Sequence, residues 1–132
     1  MAKPNDPLAL LFTNDAKATD RQKLAELLKP FVIIDENSKE LSFHDAFNAL
    51  ENNAQKVEII LAAAKARALF FNEIDGLTQG DIINLSAMAD GSVKSTLKRL
   101  YDAHKIKKDK EGRYSVPAYR IPDLVKQFNN KS

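Results

Sequence analysis

The sequence predicts an α+β fold, mostly α, and three observations lead there. Apolar residues recur at steps of three and four along most of the chain, the period of a helix with one covered face. Two short stretches, within residues 31–43 and 106–116, break that period with β-branched or alternating residues around turn formers. The bulk composition is that of a globular protein, with 44% hydrophobic and 29% charged residues in a chain of 132, long enough for one core.

Residues 1–19 are a polar lead-in holding one apolar cluster, Leu8-Ala9-Leu10-Leu11-Phe12. The cluster reads either as a helical turn that docks on the rest of the protein or as a handle for a partner. Residues 20–29 form a short helix with Leu24, Leu27 and Leu28 on one face. Pro30 ends it, because the residue before a proline is steered out of the helical region. Phe31-Val32-Ile33-Ile34-Asp35 is β-branched and reads as a strand, Glu36-Asn37-Ser38-Lys39 as a turn, and Leu41-Ser42-Phe43 as the return strand. Ser42 precedes Asp45 at the spacing of a capping box. A helix over about residues 43–51 follows, with Phe43, Phe47 and Leu50 on one side, and Asn52-Asn53 breaks it.

The longest helix spans about residues 54–72. Val57, Leu61, Ala64, Ala68 and Phe71 form its stripe, Ile60 and Ala63 widen it, and Ile59, Leu69 and Phe70 lie partly off it. Polar relief comes from Lys56, Glu58, Lys65 and Arg67. A helix so apolar all round is central and covered on several sides. It either joins the two halves in one core, the favoured reading, or lends part of its surface to a dimer.

From Gly76 the local signals tighten. Thr78 caps a helix over about residues 79–87, with Asp81 at the capping-box position and Ile82, Ile83 and Leu85 facing inward. Met88-Ala89-Asp90-Gly91 is a tight turn in which Gly91 supplies positive φ. Asp90 or Ser92 then caps a helix reaching about His104, with Val93, Leu97, Leu100 and Tyr101 as its buried stripe. Its opposite face presents Ser92, Lys94, Ser95, Lys98 and Arg99, continued by Lys105, with Thr96 near the boundary. Lys and Arg attract phosphates and donate to guanine edges, and short hydroxyls adapt to either. An ordinary solvated helix shows the same face, so this helix alone does not decide. The next segment does. Ile106-Lys107-Lys108-Asp109 and Arg113-Tyr114-Ser115-Val116 alternate around Lys110-Glu111-Gly112, a hairpin with Ile106, Tyr114 and Val116 inward and basic residues outward. Past it, Pro117 ends the strand, and Tyr119, Ile121, Leu124, Val125 and Phe128 lead into a short C-terminal helix that packs on the domain.

Charge follows the same division. Residues 1–75 carry 9 Lys/Arg against 12 Asp/Glu, whereas residues 76–132 carry 11 against 6. Residues 92–113 alone hold 8 basic and 3 acidic residues, a surplus of five in a chain whose net charge is only +2. Basic charge concentrated in this way is the electrostatic footprint of a polyanion partner.

In this order (long helix, capped short helix, tight turn, basic amphipathic helix, basic hairpin) the chain resembles the winged helix-turn-helix family. The resemblance rests on Leu77-Thr78-Gln79-Gly80-Asp81-Ile82, on residues 91–101 and on Ile106-Lys107-Lys108 with Gly112-Arg113-Tyr114, and covers about residues 55–116. It implies that helix 92–104 enters the major groove of duplex DNA. The contacts it implies are Ser92, Lys94, Ser95, Thr96, Lys98 and Arg99, with Lys105, and from the wing Lys107, Lys108, Lys110 and Arg113. It further implies a transcriptional regulator of prokaryotic type or a DNA-binding protein of a mobile element, acting as a homodimer. The expected division is an N-terminal helical and β-hairpin extension over residues 1–53, supplying a dimer or partner surface, and a winged helix over 54–132. A winged helix that meets an acidic protein partner is the rival reading, since fold does not dictate function. RNA binding has less support, because the sequence does not disclose exposed aromatic platforms.

Other chemistries find little footing. With no cysteine, disulfides, thiolate zinc sites and cysteine nucleophiles are excluded. His44 and His104 stand 60 positions apart without ligand spacing, and the four glycines form no phosphate loop. Asp35, Glu36 and Glu40 suit a solvated turn better than a metal site. No enzyme activity, cofactor or metal is expected. The N-terminal residues lack a signal peptide's apolar segment, and residues 57–71 are too short and too charged to span a bilayer, so a cytoplasmic location is expected.

Overall fold

The structure, a computed structural model, describes residues 14–129. The apolar cluster at residues 8–12 lies outside them. The fold is α+β, mostly helical, with two small antiparallel sheets. No helix among the described residues is long and apolar enough to cross a membrane.

A single turn of helix, α1 (Asp15–Ala18), precedes α2 (Arg21–Leu28). Asp20 caps α2 by accepting the Lys23 N–H at 3.0 Å, and Leu24, Leu27 and Leu28 are buried as their spacing requires. β1 (Val32–Ile34) and β2 (Leu41–Phe43) pair antiparallel, with Val32 opposite Phe43. The turn between them is shaped by the Asp35 carboxylate, which accepts the N–H groups of Asn37 and Ser38 at 2.8 and 2.7 Å. The expected helix over 43–51 shrinks to α3 (Asp45–Asn48). Pairing with Val32 draws Phe43 into β2, and Ser42 goes with it, so the helix starts after His44 without a side-chain cap.

The central helix α4 (Asn53–Phe71) starts where the sequence suggests a break, because the Asn52 side chain accepts from the Ala54 and Gln55 N–H groups. Residues 57–65 are all buried, Ile59 included, although its position lies off the expected stripe. Over those residues the helix is covered all round. α2 packs on it from one side, α5 (Gln79–Ser86) and α6 (Asp90–Asp102) from another. One hydrophobic cluster therefore takes Leu24, Phe31 and Phe47 from the first half and Ile82, Leu97 and Leu124 from the second.

Such enclosure also buries Glu58 and Lys65, each 2% exposed. A buried charge persists only when paired. Glu58 receives two hydrogen bonds from the Arg120 guanidinium, at 2.8 and 3.3 Å. Lys65 reaches Asp15 of α1 and, at 2.9 Å, Asp75 of the loop before α5. Asp15 also accepts the Ala118 N–H at 2.7 Å, which ties α1 to the 3-10 turn Ala118–Arg120. The last helix, α7 (Ile121–Asn129), buries Ile121 and Leu124 and lies on α2, with Phe128 edge-on to Phe31 at 5.3 Å.

Candidate nucleic-acid interface

The basic segment is positioned by two helices and a hairpin. Thr78 and Asp81 form a full capping box at the start of α5, with the Asp81 N–H donating to the Thr78 hydroxyl at 3.2 Å and the Thr78 N–H to the Asp81 carboxylate at 3.1 Å. The turn after α5 differs from its expected form. Ala87, not Gly91, takes the left-handed conformation, at φ 59°. Gly91 lies inside the first turn of α6, and Ala89 occupies the N-cap position, so neither Asp90 nor Ser92 caps the helix.

On α6 the buried stripe is Val93, Thr96, Leu97 and Leu100. Thr96 is 1% exposed and leaves the set of contact candidates, whereas Tyr101, expected in the core, is 49% exposed. Lys94, Ser95, Lys98 and Arg99 are exposed, and Ser92 is half-buried. Two of these side chains are engaged locally. Lys98 pairs with Asp102 one turn on, at 3.0 Å, and the Ser95 hydroxyl donates to the Ser92 carbonyl at 3.2 Å. His104 ends the helix in the left-handed conformation, at φ 60°, while the Lys105 N–H returns to the Leu100 carbonyl at 2.9 Å. That closure satisfies the end of the helix and turns the chain sharply into the hairpin.

The hairpin is β3 (Lys107–Lys108) and β4 (Tyr114–Ser115), with Lys108 opposite Tyr114. Leu77 adds a one-residue bridge to Tyr114 on the other side, so the chain just before α5 borders the hairpin. Ile106 and Val116 are buried and Tyr114 is half-buried against the core. At the tip, Gly112 adopts φ 80° and the Asp109 carboxylate accepts the N–H groups of Glu111 and Arg113 at 3.0 and 2.8 Å. The backbone hydrogen bond from Arg113 is the main reason the Asp109 carboxyl sits below the ordinary aspartate value, helped by the Arg113 side chain at 3.0 Å. Glu111 lies 3.5 Å from the same guanidinium. Arg113, expected as an outward contact, is thus neutralised within its own hairpin.

The remaining cations of this segment have no carboxylate partner in contact. Among the described residues, Lys94, Arg99, Lys105, Lys107, Lys108 and Lys110 are exposed and make no ion pair within 4.0 Å. Lys108 stands over the Tyr114 ring at 5.3 Å, and Arg99 makes only a long contact to the Thr96 hydroxyl, at 3.5 Å.

Two aromatic residues that the sequence reading did not place here complete the surface. Tyr101 and Tyr119 line a groove of about 480 Å³ with His104, Lys107 and Lys108, between the end of α6 and the hairpin. Tyr119 is 61% exposed, and its hydroxyl donates to the His104 carbonyl at 2.8 Å, which fixes the ring. No local pattern announces this arrangement, because Tyr119 arrives from beyond β4. Among the described residues no three His, Asp or Glu side chains gather as a metal centre requires. No protein-family model, curated protein or solved structure matches the chain.

Proposed function

We propose that the chain binds double-stranded DNA through a winged helix-turn-helix made of α4, α5, α6 and the β3–β4 hairpin, with α6 in the major groove and the hairpin as the wing. The observation that carries the reading is the set of six exposed, unpaired cations along α6, the turn after it and the hairpin. Unpaired lysines on a fixed scaffold repel one another, and a phosphate backbone relieves that repulsion while releasing its counterions. The order of elements and the Leu77–Tyr114 bridge, which sets the segment before α5 beside the hairpin, support the winged-helix assignment. Tyr101 and Tyr119 supply flat apolar surface and a hydroxyl beside Lys107 and Lys108, suited to packing along sugar and phosphate. Such a module serves a transcriptional regulator or a DNA-binding protein of a mobile element.

The test is fluorescence anisotropy of a labelled duplex, and of its single strand, titrated with the protein over a range of salt. Micromolar duplex binding that weakens linearly on a log–log salt plot is the expected result. No binding at low salt overturns the reading in favour of an acidic protein partner, and tighter binding of the single strand overturns it in favour of a single-strand reader that uses the two tyrosines.

A further inference from the structure

Phe70 is 69% exposed at the end of α4, an unusual position for a phenylalanine in the helix that organises the core. It forms a ridge with Ala66, one helical turn before it, and an apolar groove runs along each flank. One groove, of about 390 Å³, lies between the ridge and the β1–β2 hairpin and is lined by Ile34, Glu36 and Phe71. The other, smaller at about 120 Å³, lies between the ridge and α2 and is lined by Arg21, Leu24, Ala25 and Leu69. Each groove thus carries one charged residue, of opposite sign to the other. Among the described residues the side chains of Arg21 and Glu36 make no ion pair within 4.0 Å and no hydrogen bond. Arg21 is moreover the first residue of α2, where the helix dipole disfavours a cation, so local helix stability does not explain it.

A ridge flanked by a groove, with a positive charge on one side and a negative charge on the other, is complementary to its own image turned through a half-rotation. We infer that this face joins two copies of the chain about a twofold axis, with Phe70 of each copy in the wider groove of the other and Arg21 of each facing Glu36 of its partner. The charge pattern selects a second copy over other occupants. An unrelated apolar segment would fill the grooves but leave Glu36 unmatched and Arg21 with only the carboxylates across the neighbouring cleft of Asp15, Glu73 and Asp75, none within 4.0 Å of it, whereas the twofold sets each charge against an opposite one. The inference stands apart from DNA binding, because its test contains no nucleic acid.

The test is sedimentation equilibrium, from low micromolar to near-millimolar concentration, on the full chain, on four substitution variants of it and on a chain lacking residues 1–13. The wild type populates a dimer, and Phe70→Glu is monomeric while melting as the wild type does. Arg21→Glu and Glu36→Arg each weaken the dimer about tenfold or more, because like charges then meet at both symmetric contacts. The double variant Arg21→Glu with Glu36→Arg returns to within a few-fold of the wild-type dissociation constant. A wild type that is monomeric throughout overturns the inference, as does a dimer that survives Phe70→Glu, or a double variant no tighter than the singles. If removal of residues 1–13 converts a monomer into a Phe70-dependent dimer, those residues occupy the face in the full chain, and the inference fails for it.

Discussion

Leu77 and Tyr114 exchange both of their backbone hydrogen bonds, at 2.9 and 2.7 Å, and so fasten the start of the α5–α6 unit to the second strand of the hairpin. The approach is close because Gly76 precedes Leu77 at φ 118°, where a Cβ would stand 3.1 Å from that of Arg113 and 3.2 Å from the Tyr114 carbonyl. Gly76→Ala therefore adds backbone strain and a contact tight enough that Arg113 and the Tyr114 carbonyl must give by a few tenths of an ångström. Urea denaturation should show a loss of about 1–3 kcal/mol. Stability indistinguishable from the wild type would mean that the bridge is loose.

The Glu58–Arg120 pair offers a sharper stability test. Its carboxylate is 2% exposed, so replacing Arg120 with Met leaves an uncompensated charge beside the core. A loss of about 3–5 kcal/mol is expected by chemical denaturation. Adding Glu58→Leu to that variant should recover most of it, because the charge that lacks a partner is then gone. A double variant no more stable than Arg120→Met alone would place the damage in lost packing instead.

Lys65 pairs with two carboxyls whose proton affinities are shifted in opposite directions. Burial pushes the Asp75 carboxyl above the ordinary aspartate value, and the Lys65 ammonium at 2.9 Å offsets only part of this. The folded chain then holds that proton to higher pH than the unfolded chain, so the contribution of Asp75 falls as pH rises from about the ordinary value of 3.8 through the raised one. For Asp15 burial also raises the carboxyl, but hydrogen bonds from Lys65 and from the Ala118 N–H outweigh it and the value is lowered. Its contribution is complete above the ordinary value and is lost as pH falls through the lowered one. Denaturation at a series of pH values should show the wild type losing ground to Asp75→Asn on the alkaline side of 3.8 and to Asp15→Asn on the acid side. Parallel curves for wild type and Asp75→Asn would contradict the assignment.

These clamps mark where the sequence stops being legible. The capping box of Thr78 and Asp81, the leucine face of α2 and the return strand Leu41–Phe43 depend on neighbours within a few residues, and each is readable from the chain. The partners of Lys65 and Glu58 are not, since Asp15 lies 50 positions from Lys65 and Arg120 lies 62 from Glu58. The swap of Thr96 for Tyr101 in the core face of α6 has a different cause. Both residues flank the Val93, Leu97 and Leu100 stripe, on opposite edges, and the neighbouring helices decide which edge is covered. Residue type misleads there, because a threonine hydroxyl is buried while a tyrosine ring is left in solvent. The basic face of α6 and the lysines of the hairpin are legible as a charge surplus. The pairing of Lys98 with Asp102 and of Arg113 with Asp109 is local too, each four residues apart, but a charge count that sums the segment as a whole passes over it.

Asp109 carries a prediction of its own. As an acidic residue among lysines it weakens a phosphate-binding hairpin, yet its carboxylate accepts the tip amides of Glu111 and Arg113. In Asp109→Ala those two amides should exchange with solvent faster, as read by NMR, while the amides of Ile82 and Leu97 keep their rates. Unchanged exchange at Glu111 and Arg113 would show that the backbone bonds between residues 109, 112 and 113 hold the turn without the carboxylate.

The central claim is that α6 and the hairpin contact one duplex together, and the salt dependence of binding in two multiple variants measures it most directly. Six unpaired cations that each neutralise a phosphate give a log–log slope of about −5. Lys94→Ala with Arg99→Ala should flatten that slope by about 2 units, and Lys107→Ala, Lys108→Ala and Lys110→Ala together by about 3, each variant folded and weaker in binding. Slopes unchanged in both variants would contradict the account and remove this face of the protein from any contact with DNA.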